Sequence, residues 1–313
     1  MVQNIVCSKC GKPNRSSAQF CKHCGARLVL FQWQPLQPRD ILIHGGQSYQ
    51  IVRPLGKGGL GAVYLANQLM ADVERLVVIK EMLDYFDVTN PDEVAKAQER
   101  FKKEAGILVT LKHPNIPDIY DYFIDGNRHL IVMKYIEGDS LEKRITHWDD
   151  SGQKIPGHSC PINEVLQWGI QLCKVLEYLA SKSVIHHDIK PANVILDKNS
   201  GNVYLVDFGT AKAQLIRQPG GTIGRGKSSI WGTEGYAPPE QYDWGPNKPP
   251  QTEPRSDVYA LAAMLCHLLT DDHPAKHPFQ FPNLSTLSPD LEKVLRRAFL
   301  DVSKRPQIGR AHV

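Results

Sequence analysis

A chain of 313 residues, 42% hydrophobic and 22% charged, has the makeup of an ordinary globular protein: one large domain with room for a small appendage. No run approaches the ~18 consecutive apolar residues of a membrane helix; the longest candidate, 258–269, is interrupted by His267 and flanked by Asp257 and Asp271. The net charge of +4 is concentrated in residues 1–40, where six Lys and Arg face Asp40 alone (+5), so the remainder sums to −1. That basic excess is too small for the broad patch of a nucleic-acid binder, so nucleic acid is not an expected partner. The N-terminus lacks an apolar signal segment, which points to the cytoplasm.

Four of the seven cysteines open the chain as Cys7-x2-Cys10 and Cys21-x2-Cys24, ten residues apart. A two-residue gap lets both sulfurs of a tight turn face one ion, and two such turns supply the four thiolates of a tetrahedral zinc site. Gly11 and Gly25 follow the pairs and tolerate the positive φ that such turns need. Redox cysteines are the alternative, and the doubled spacing argues against them. His23 sits inside the second turn and reads as exposed rather than as a ligand. Residues 1–27 cannot bury much core, so zinc is expected to supply their folding energy. The segment resembles a zinc ribbon of the kind bacteria append to larger proteins, which can have a partner of its own. Cys173 and Cys266 lie in apolar helical patterns and read as core thiols.

Residues 28–45, with Gln32, Gln34, Pro35, Gln37 and Pro38, read as an extended linker. From 46 onward strands come first and helices later. Strands are expected at 49–55, 62–66 and 76–82, a helix at 91–111, and a hairpin from 119–123 and 129–135. Helices follow at 163–180 and 257–269. The glycines Gly56, Gly58 and Gly61 form GxGxxG, a spacing that dinucleotide sites share. In those sites the glycines open a helix, whereas here the residues after Gly61 read as a strand, which suits a flap over nucleotide phosphates. Lys80 ends the apolar run 77–79, and Glu104 falls on the inward stripe of the 91–111 helix. A buried carboxylate requires a cation, so the two are expected to pair.

The run His186-His187-Asp188-Ile189-Lys190-Pro191-Ala192-Asn193 is followed fourteen residues later by Asp207-Phe208-Gly209. Asp188 can accept a hydroxyl proton or orient the hydroxyl. Asn193 and Asp207 offer hard oxygen ligands that suit Mg²⁺. Further on, residues 232–240 read Gly-Thr-Glu-Gly-Tyr-Ala-Pro-Pro-Glu and precede Asp257.

Through these ordered motifs, residues 48–306 resemble a protein kinase of the eukaryotic-like (Hanks-type) bacterial Ser/Thr kind. The resemblance implies an α+β, bilobal kinase fold: a small mostly-β N-lobe and a large mostly-α C-lobe, with ATP in the cleft. It assigns Gly56, Gly58, Gly61, Val63 and Val78 to the nucleotide, Met133 as gatekeeper, and 134–136, including Tyr135, as the hinge to adenine. Lys80 would contact the α- and β-phosphates with Glu104 holding it. Asp188 would be the catalytic base, Lys190 a γ-phosphate contact, and Asn193 and Asp207 the metal ligands, Mn²⁺ being able to replace Mg²⁺. Lys190 and Thr233 match the Ser/Thr branch, so the substrate would be a protein serine or threonine. Arg305 would pair with Glu240. In two places the pattern is broken: His187 replaces the arginine that receives an activation-loop phosphate, and Val78 replaces an alanine. A pseudokinase or scaffold is the rival reading, but it predicts loss of Lys80, Asp188, Asn193 or Asp207, and all four are present. The expected layout is ribbon 1–27, linker 28–45, kinase domain 46–307 truncated at its C-terminus, and a non-native tail at 308–313.

Overall fold

The computed structural model describes residues 4–6, 10, 12–15, 20–25, 34–58, 61–70, 73–82, 91–145, 147–148, 154–155, 159–208, 232–242 and 252–307. The chain divides into two compact units. The first takes in Met1–Leu111 and Asp118–Tyr135, the second Lys112–Pro117 and most of the chain from Ile136 onward.

The first unit begins with β1 (Asn4–Val6) and β2 (Pro13–Arg15), a short antiparallel pair. A separate six-stranded antiparallel sheet follows. It is built from β3 (Ile41–His44), β4 (Gln47–Gly58), β5 (Gly61–Met70), β6 (Val73–Met82), β7 (Ile119–Asp125) and β8 (Arg128–Lys134), in the order β3-β4-β5-β6-β8-β7. Period-two alternation sorts its faces. Ala62, Tyr64 and Ala66 on β5, Val77 and Ile79 on β6, and Leu130 and Val132 on β8 are buried in one cluster with Leu42, Tyr49, Ile51 and Phe123. The opposite face carries Val63, Val78, Lys80, Ile131 and Met133, which the register sets in two rows, Val63–Lys80–Ile131 and Val78–Met133.

The helix α1 (Pro91–Thr110) packs against β7 and β8. Ala97, Phe101, Ala105 and Leu108 form its buried stripe. The Phe101 ring stacks on His129 at 4.8 Å and meets Tyr122 edge-on at 6.2 Å. His129, Ile131 and Met133 alternate onto one face of β8, so α1 covers the face of the sheet that bears Lys80.

The expected linker at 28–45 is not free in its second half. Leu36 is buried in the sheet's core cluster, and β3 pairs with β4 from Ile41 to His44. The Gln and Pro residues give this stretch a linker composition, but Leu36 and Leu42 are apolar anchors that the sheet buries.

The second unit is mostly helical. Its β9 (Gly138–Ser140), β12 (Val194–Asp197) and β13 (Val203–Leu205) form a small antiparallel sheet with β12 in the middle. The minor elements α2 (Leu141–Ile145), β10 (His147–Trp148) and β11 (Lys154–Ile155) lie between β9 and α3 (Ile162–Ser181) in sequence. The helices α3 and α4 (Pro254–Thr270) pack on each other, and α5 (Pro289–Ala298) packs on α4. The helix α4 starts three residues earlier than its apolar run because Glu253 and Ser256 form a capping box. Cys266 is buried as expected, but Cys173 is exposed. It continues the outward stripe of Ile162, Leu166 and Ile170 rather than the inward one. The tail 308–313 lies outside the described residues.

Candidate active site and metal sites

In the first unit, β4 and β5 run into one another as a hairpin: Gly56 pairs with Val63 and Gly58 with Gly61. The glycines therefore close a strand–turn–strand loop and do not open a helix, which removes the dinucleotide alternative. Gly61 has φ +156°, and a Cβ there would collide with the backbone oxygen of Glu81. Lys80 is buried near the C-terminal end of β6, between Val63 and Ile131 on the neighbouring strands. Glu104 lies beside the buried stripe of α1, half-buried rather than enclosed as the periodicity suggested. Helix and lysine share one face of the sheet. Val78 is set between Leu65 and Met133, and Tyr135 directly follows β8.

In the second unit the loop 186–193 folds into a compact polar cluster. Asp188 Oδ2 lies 2.8 Å from Lys190 Nζ and accepts from Asn193 Nδ2 at 3.1 Å. Asp188 Oδ1 accepts the Thr233 hydroxyl at 2.6 Å, and Lys190 Nζ donates to the same Thr233 oxygen at 2.7 Å. Thr233 follows Gly232, whose φ is +119° and whose Cβ would lie 2.7 Å from His187 O. Only glycine fits that approach, and it brings the 232–242 segment down onto the loop.

A buried carboxylate holds the loop from beneath. Asp257 on α4 accepts the backbone N–H of His186 at 2.7 Å and of His187 at 2.9 Å. Burial pushes its carboxyl up to about 7, against the pull of those two N–H donors. His186 Nε2 lies 3.0 Å from Val206 O, and Val206 N donates to Asn193 O at 2.9 Å. These bonds tie the loop to the backbone just before Asp207, which is exposed with φ +65°. Phe208 meets the His186 ring edge-on at 4.8 Å, while Gly209 lies outside the described residues. The structure thus brings Asp188, Lys190 and Asn193 together and joins Asp207 to them through Val206. Sequence patterns pointed to each of these residues, but not to Asp257 as their support.

His187 is buried, with Nε2 3.0 Å from Thr252 Oγ1. The pair expected at the end of the segment is present: Arg305 Nη2 lies 3.0 Å from Glu240 Oε2, and Nη1 bonds Oε1. Ser256 Oγ adds a third hydrogen bond to Glu240 at 2.9 Å.

In the N-terminal module the sulfurs of Cys10, Cys21 and Cys24 lie within 4.8 Å of one another. Cys10 and Cys21 are 3.5 Å apart. Three convergent thiols suit a tetrahedral soft-ligand ion, and Cys7, the fourth expected ligand, lies outside the described residues. Gly25 has φ +70° and donates to Cys21 O at 2.9 Å, as a tight turn requires. His23 is exposed, and its N–H donates to Cys21 Sγ at 3.4 Å. The buried Asn14 amide, which the sequence did not single out, also donates to Cys21 Sγ at 3.5 Å. Burial of Cys21 opposes thiolate charge, yet hydrogen bonds from His23, Cys24, Asn14 and Cys10 bring its pKa down to about 5. Such donors orient and stabilise a thiolate ligand from outside the coordination shell.

Comparison with known proteins gives two family matches: a protein kinase domain over residues 49–299 and a zinc-ribbon domain over residues 6–28. Among curated relatives, the chain is 34% identical to serine/threonine-protein kinase PknA of Nostoc over 72% of its length and 37% of the relative's. It is 35% identical to PrkC of Bacillus subtilis over 71% of its length and 30% of the relative's. It is 30% identical to serine/threonine-protein kinase B of Synechocystis, covering 83% of the chain and 41% of the relative. The chain therefore spans less than half the length of these relatives. Of solved structures, the PknI kinase domain of Mycobacterium tuberculosis matches with TM-score 0.59 and 26% identity, over 87% of this chain and 94% of that one.

Proposed function

The chain belongs to the protein kinase domain family, with a zinc ribbon at its N-terminus, and we propose that it transfers the γ-phosphoryl group of ATP to a serine or threonine hydroxyl of a protein. The observation that supports this best is the Asp188–Lys190–Asn193–Thr233 cluster. Asp188 already accepts one threonine hydroxyl through Oδ1, so its carboxylate is suited to receive and orient a substrate hydroxyl and take its proton. Lys190, bonded to the same carboxylate, puts a positive charge where the transferred group's charge develops. Lys80, on the sheet, is the candidate contact for the remaining phosphates, with Glu104 as its partner. The glycine hairpin at 56–61 is the candidate cover for the triphosphate. Val63, Val78, Met133 and Tyr135 are the candidate adenine surroundings.

The donors fit a hard cation. Asn193 spends its amide N–H on Asp188, which leaves the amide oxygen as its ligand atom, and Asp207 offers a carboxylate. Together they would hold Mg²⁺ or Mn²⁺, which when bound neutralises charge on the phosphate oxygens. Cys7, Cys10, Cys21 and Cys24 would hold Zn²⁺ in the ribbon, which we assign to 1–27 as a separate docking module. No described helix is long and apolar enough to cross a membrane. We place the activity in the cytoplasm, where thiols stay reduced and available to zinc.

Asp188→Asn is the direct test. It keeps shape and packing but removes the carboxylate that takes the hydroxyl proton, so transfer of labelled phosphate to the chain or to a generic acceptor is expected to vanish while ATP affinity stays near the native value. Near-native turnover by this variant would overturn the assignment. Nucleotide binding without transfer by the unmodified chain would favour the pseudokinase.

A further inference from the structure

The residue next to Lys80 has a role that its sequence position did not announce. Glu81 is 1% exposed and points to the opposite face of β6. Its carboxylate is held by two groups: Arg128 Nη1 lies 2.5 Å from Oε1, and the Tyr64 hydroxyl donates to Oε2 at 3.0 Å. Both partners reach onward to the same stretch of chain. Arg128 Nη2 donates to Gln34 O at 2.6 Å, and the Tyr64 oxygen accepts Leu36 N at 3.1 Å. Leu36 itself is buried in the sheet core. Residues 34–36 are thus strapped across the sheet by a network centred on Glu81, and they are the part of the chain that leads from the cysteine module into the sheet.

The network also sits against the nucleotide elements. Glu81 is bonded to Lys80 by one peptide link, and its backbone oxygen is the atom that bars any side chain at Gly61. Tyr64 stands on β5 one residue after Val63, opposite Lys80's neighbour Ile79. The burial that encloses the Tyr64 hydroxyl pushes its pKa up to about 12, so it stays a neutral donor throughout the working range. A buried carboxylate fixed from two sides has little freedom, and a displacement of the strap must be felt by the strand that presents Lys80.

We propose that Glu81, with Arg128 and Tyr64, forms a latch through which the strap 34–36 positions Lys80 and the glycine hairpin for ATP. Glu81 is in this sense a positioning residue, and the latch makes the segment behind the cysteine module a regulator of nucleotide affinity. The proposal rests on the reading of Lys80 as a phosphate contact. Coupling of this kind is reciprocal: if the strap favours ATP, ATP must favour the closed strap.

The test uses the full chain. Glu81→Gln keeps size and Arg128→Gln shortens the side chain; each removes one side of the ion pair. The KM for ATP is expected to rise five- to tenfold in each, with turnover at saturating ATP and the KM for the protein acceptor within twofold of native, on the order of effects seen when a coupling contact is lost. The double variant is expected to be no worse than either single one, because both act through one latch. In the native chain, Mg-ATP is expected to slow hydrogen exchange at the Leu36 amide, and this protection should disappear in Glu81→Gln. Should Glu81→Gln fail to fold, Tyr64→Phe removes a single oxygen and is expected to raise the ATP KM two- to threefold by the same reasoning. A lowered melting temperature with unchanged ATP KM and no ATP-dependent protection of Leu36 would overturn the latch and leave a structural brace. Lys80→Met separates the two readings. If it leaves ATP affinity intact, the function proposed for Lys80 fails; if it abolishes affinity while the latch variants do nothing, only the latch fails.

Discussion

In the helical unit the pair Arg305–Glu240 is enclosed by Ser256, Tyr259 and the backbone at Leu300, with side chains 2% and 12% exposed. In the N-terminal module the buried groups among the described residues are Asn14 and Cys21. One region excludes water with side chains and can keep a charge pair inside. The other has no such enclosure, and its polar donors converge on sulfur. The same chain therefore contains two kinds of stability, one from packing and one that waits for an ion. The experiments below separate them.

The largest effect is expected from metal removal. Structural zinc contributes an apparent ~10–16 kcal/mol to the folding of small cysteine modules. Chelation, or Cys21→Ser, is therefore expected to unfold residues 1–27 completely, and a gently purified chain should contain one zinc per molecule. Melting of the helical unit should not change. Metal analysis together with backbone amide spectra of the ribbon would check both halves. A ribbon that stays ordered without metal would erase the contrast.

Arg305→Ala tests the packed region. It leaves Glu240, 12% exposed, with the Ser256 hydroxyl beside it, and breaking a pair this largely enclosed from one side costs up to about 3–5 kcal/mol. Thermal melting should show this loss, with the ribbon's metal content unchanged. Replacing both partners, Arg305→Met with Glu240→Leu, is expected to restore most of the stability, since the cost lies in the orphaned charge. If the double variant melts as low as the single one, the pair does more than avoid an unpaired carboxylate.

Asp257 gives a smaller, pH-dependent signal. Its folded carboxyl, at about 7, lies above the ordinary carboxylate range. The folded state therefore holds its proton more tightly than the unfolded state. The stability it contributes is fully present below the unfolded pKa near ~4 and is lost as pH rises through about 7. Asp257→Asn removes this term but leaves one amide oxygen for two N–H donors, at a cost of about 1–3 kcal/mol. The difference in melting temperature between native and variant chains should hence shrink as pH rises from ~5 to ~8. A constant difference would show that the carboxyl is ionised throughout.

The parts of the site that the sequence made legible are those in which chemistry dictates residue type at a fixed spacing. The cysteine pairs, the glycine hairpin, Lys80 and the Asp188–Asn193 run all belong to this class, whereas the Arg305–Glu240 pair, 65 positions apart, was expected only from the family resemblance. Strand and helix periodicities located β4 to β8, α1, α3 and α4 to within a few residues, but not β3 or the helix α5. The supporting role of Asp257, and Thr252 and Glu81 altogether, were not legible because each acts through a partner far away in sequence, and Asn14, seven residues from Cys21, belongs to no motif that marks it. Glu81 pairs with a residue 47 positions on, and Asp257 with backbone 70 and 71 positions back. The linker reading failed over 34–44 for a related reason. Composition there is polar and proline-rich, and only the sheet reveals that Leu36 and Leu42 have a core to enter.

The smallest effect is expected where the family's regulatory cation is replaced. A guanidinium presents a planar, always-charged fork to a phosphate; an imidazole does not. His187 is further committed: it is 4% exposed, its Nε2 lies 3.0 Å from Thr252 Oγ1, and its backbone N–H belongs to Asp257. A phosphate on Thr222, Ser228 or Ser229, all outside the described residues, would have to displace Thr252 and charge a buried ring to be held there. Activity should therefore depend little on those hydroxyls. The triple alanine variant is expected to keep its initial rate within about threefold of the native chain, and phosphatase treatment should change the native rate no more than that. His187→Arg sharpens the comparison. A guanidinium at this place is expected to make the rate sensitive to phosphatase, provided the variant folds. A collapse of activity in the triple alanine variant would show that a different cation receives the phosphate, and the search for it would begin among the basic side chains of the same segment, Arg217, Arg225 and Lys227.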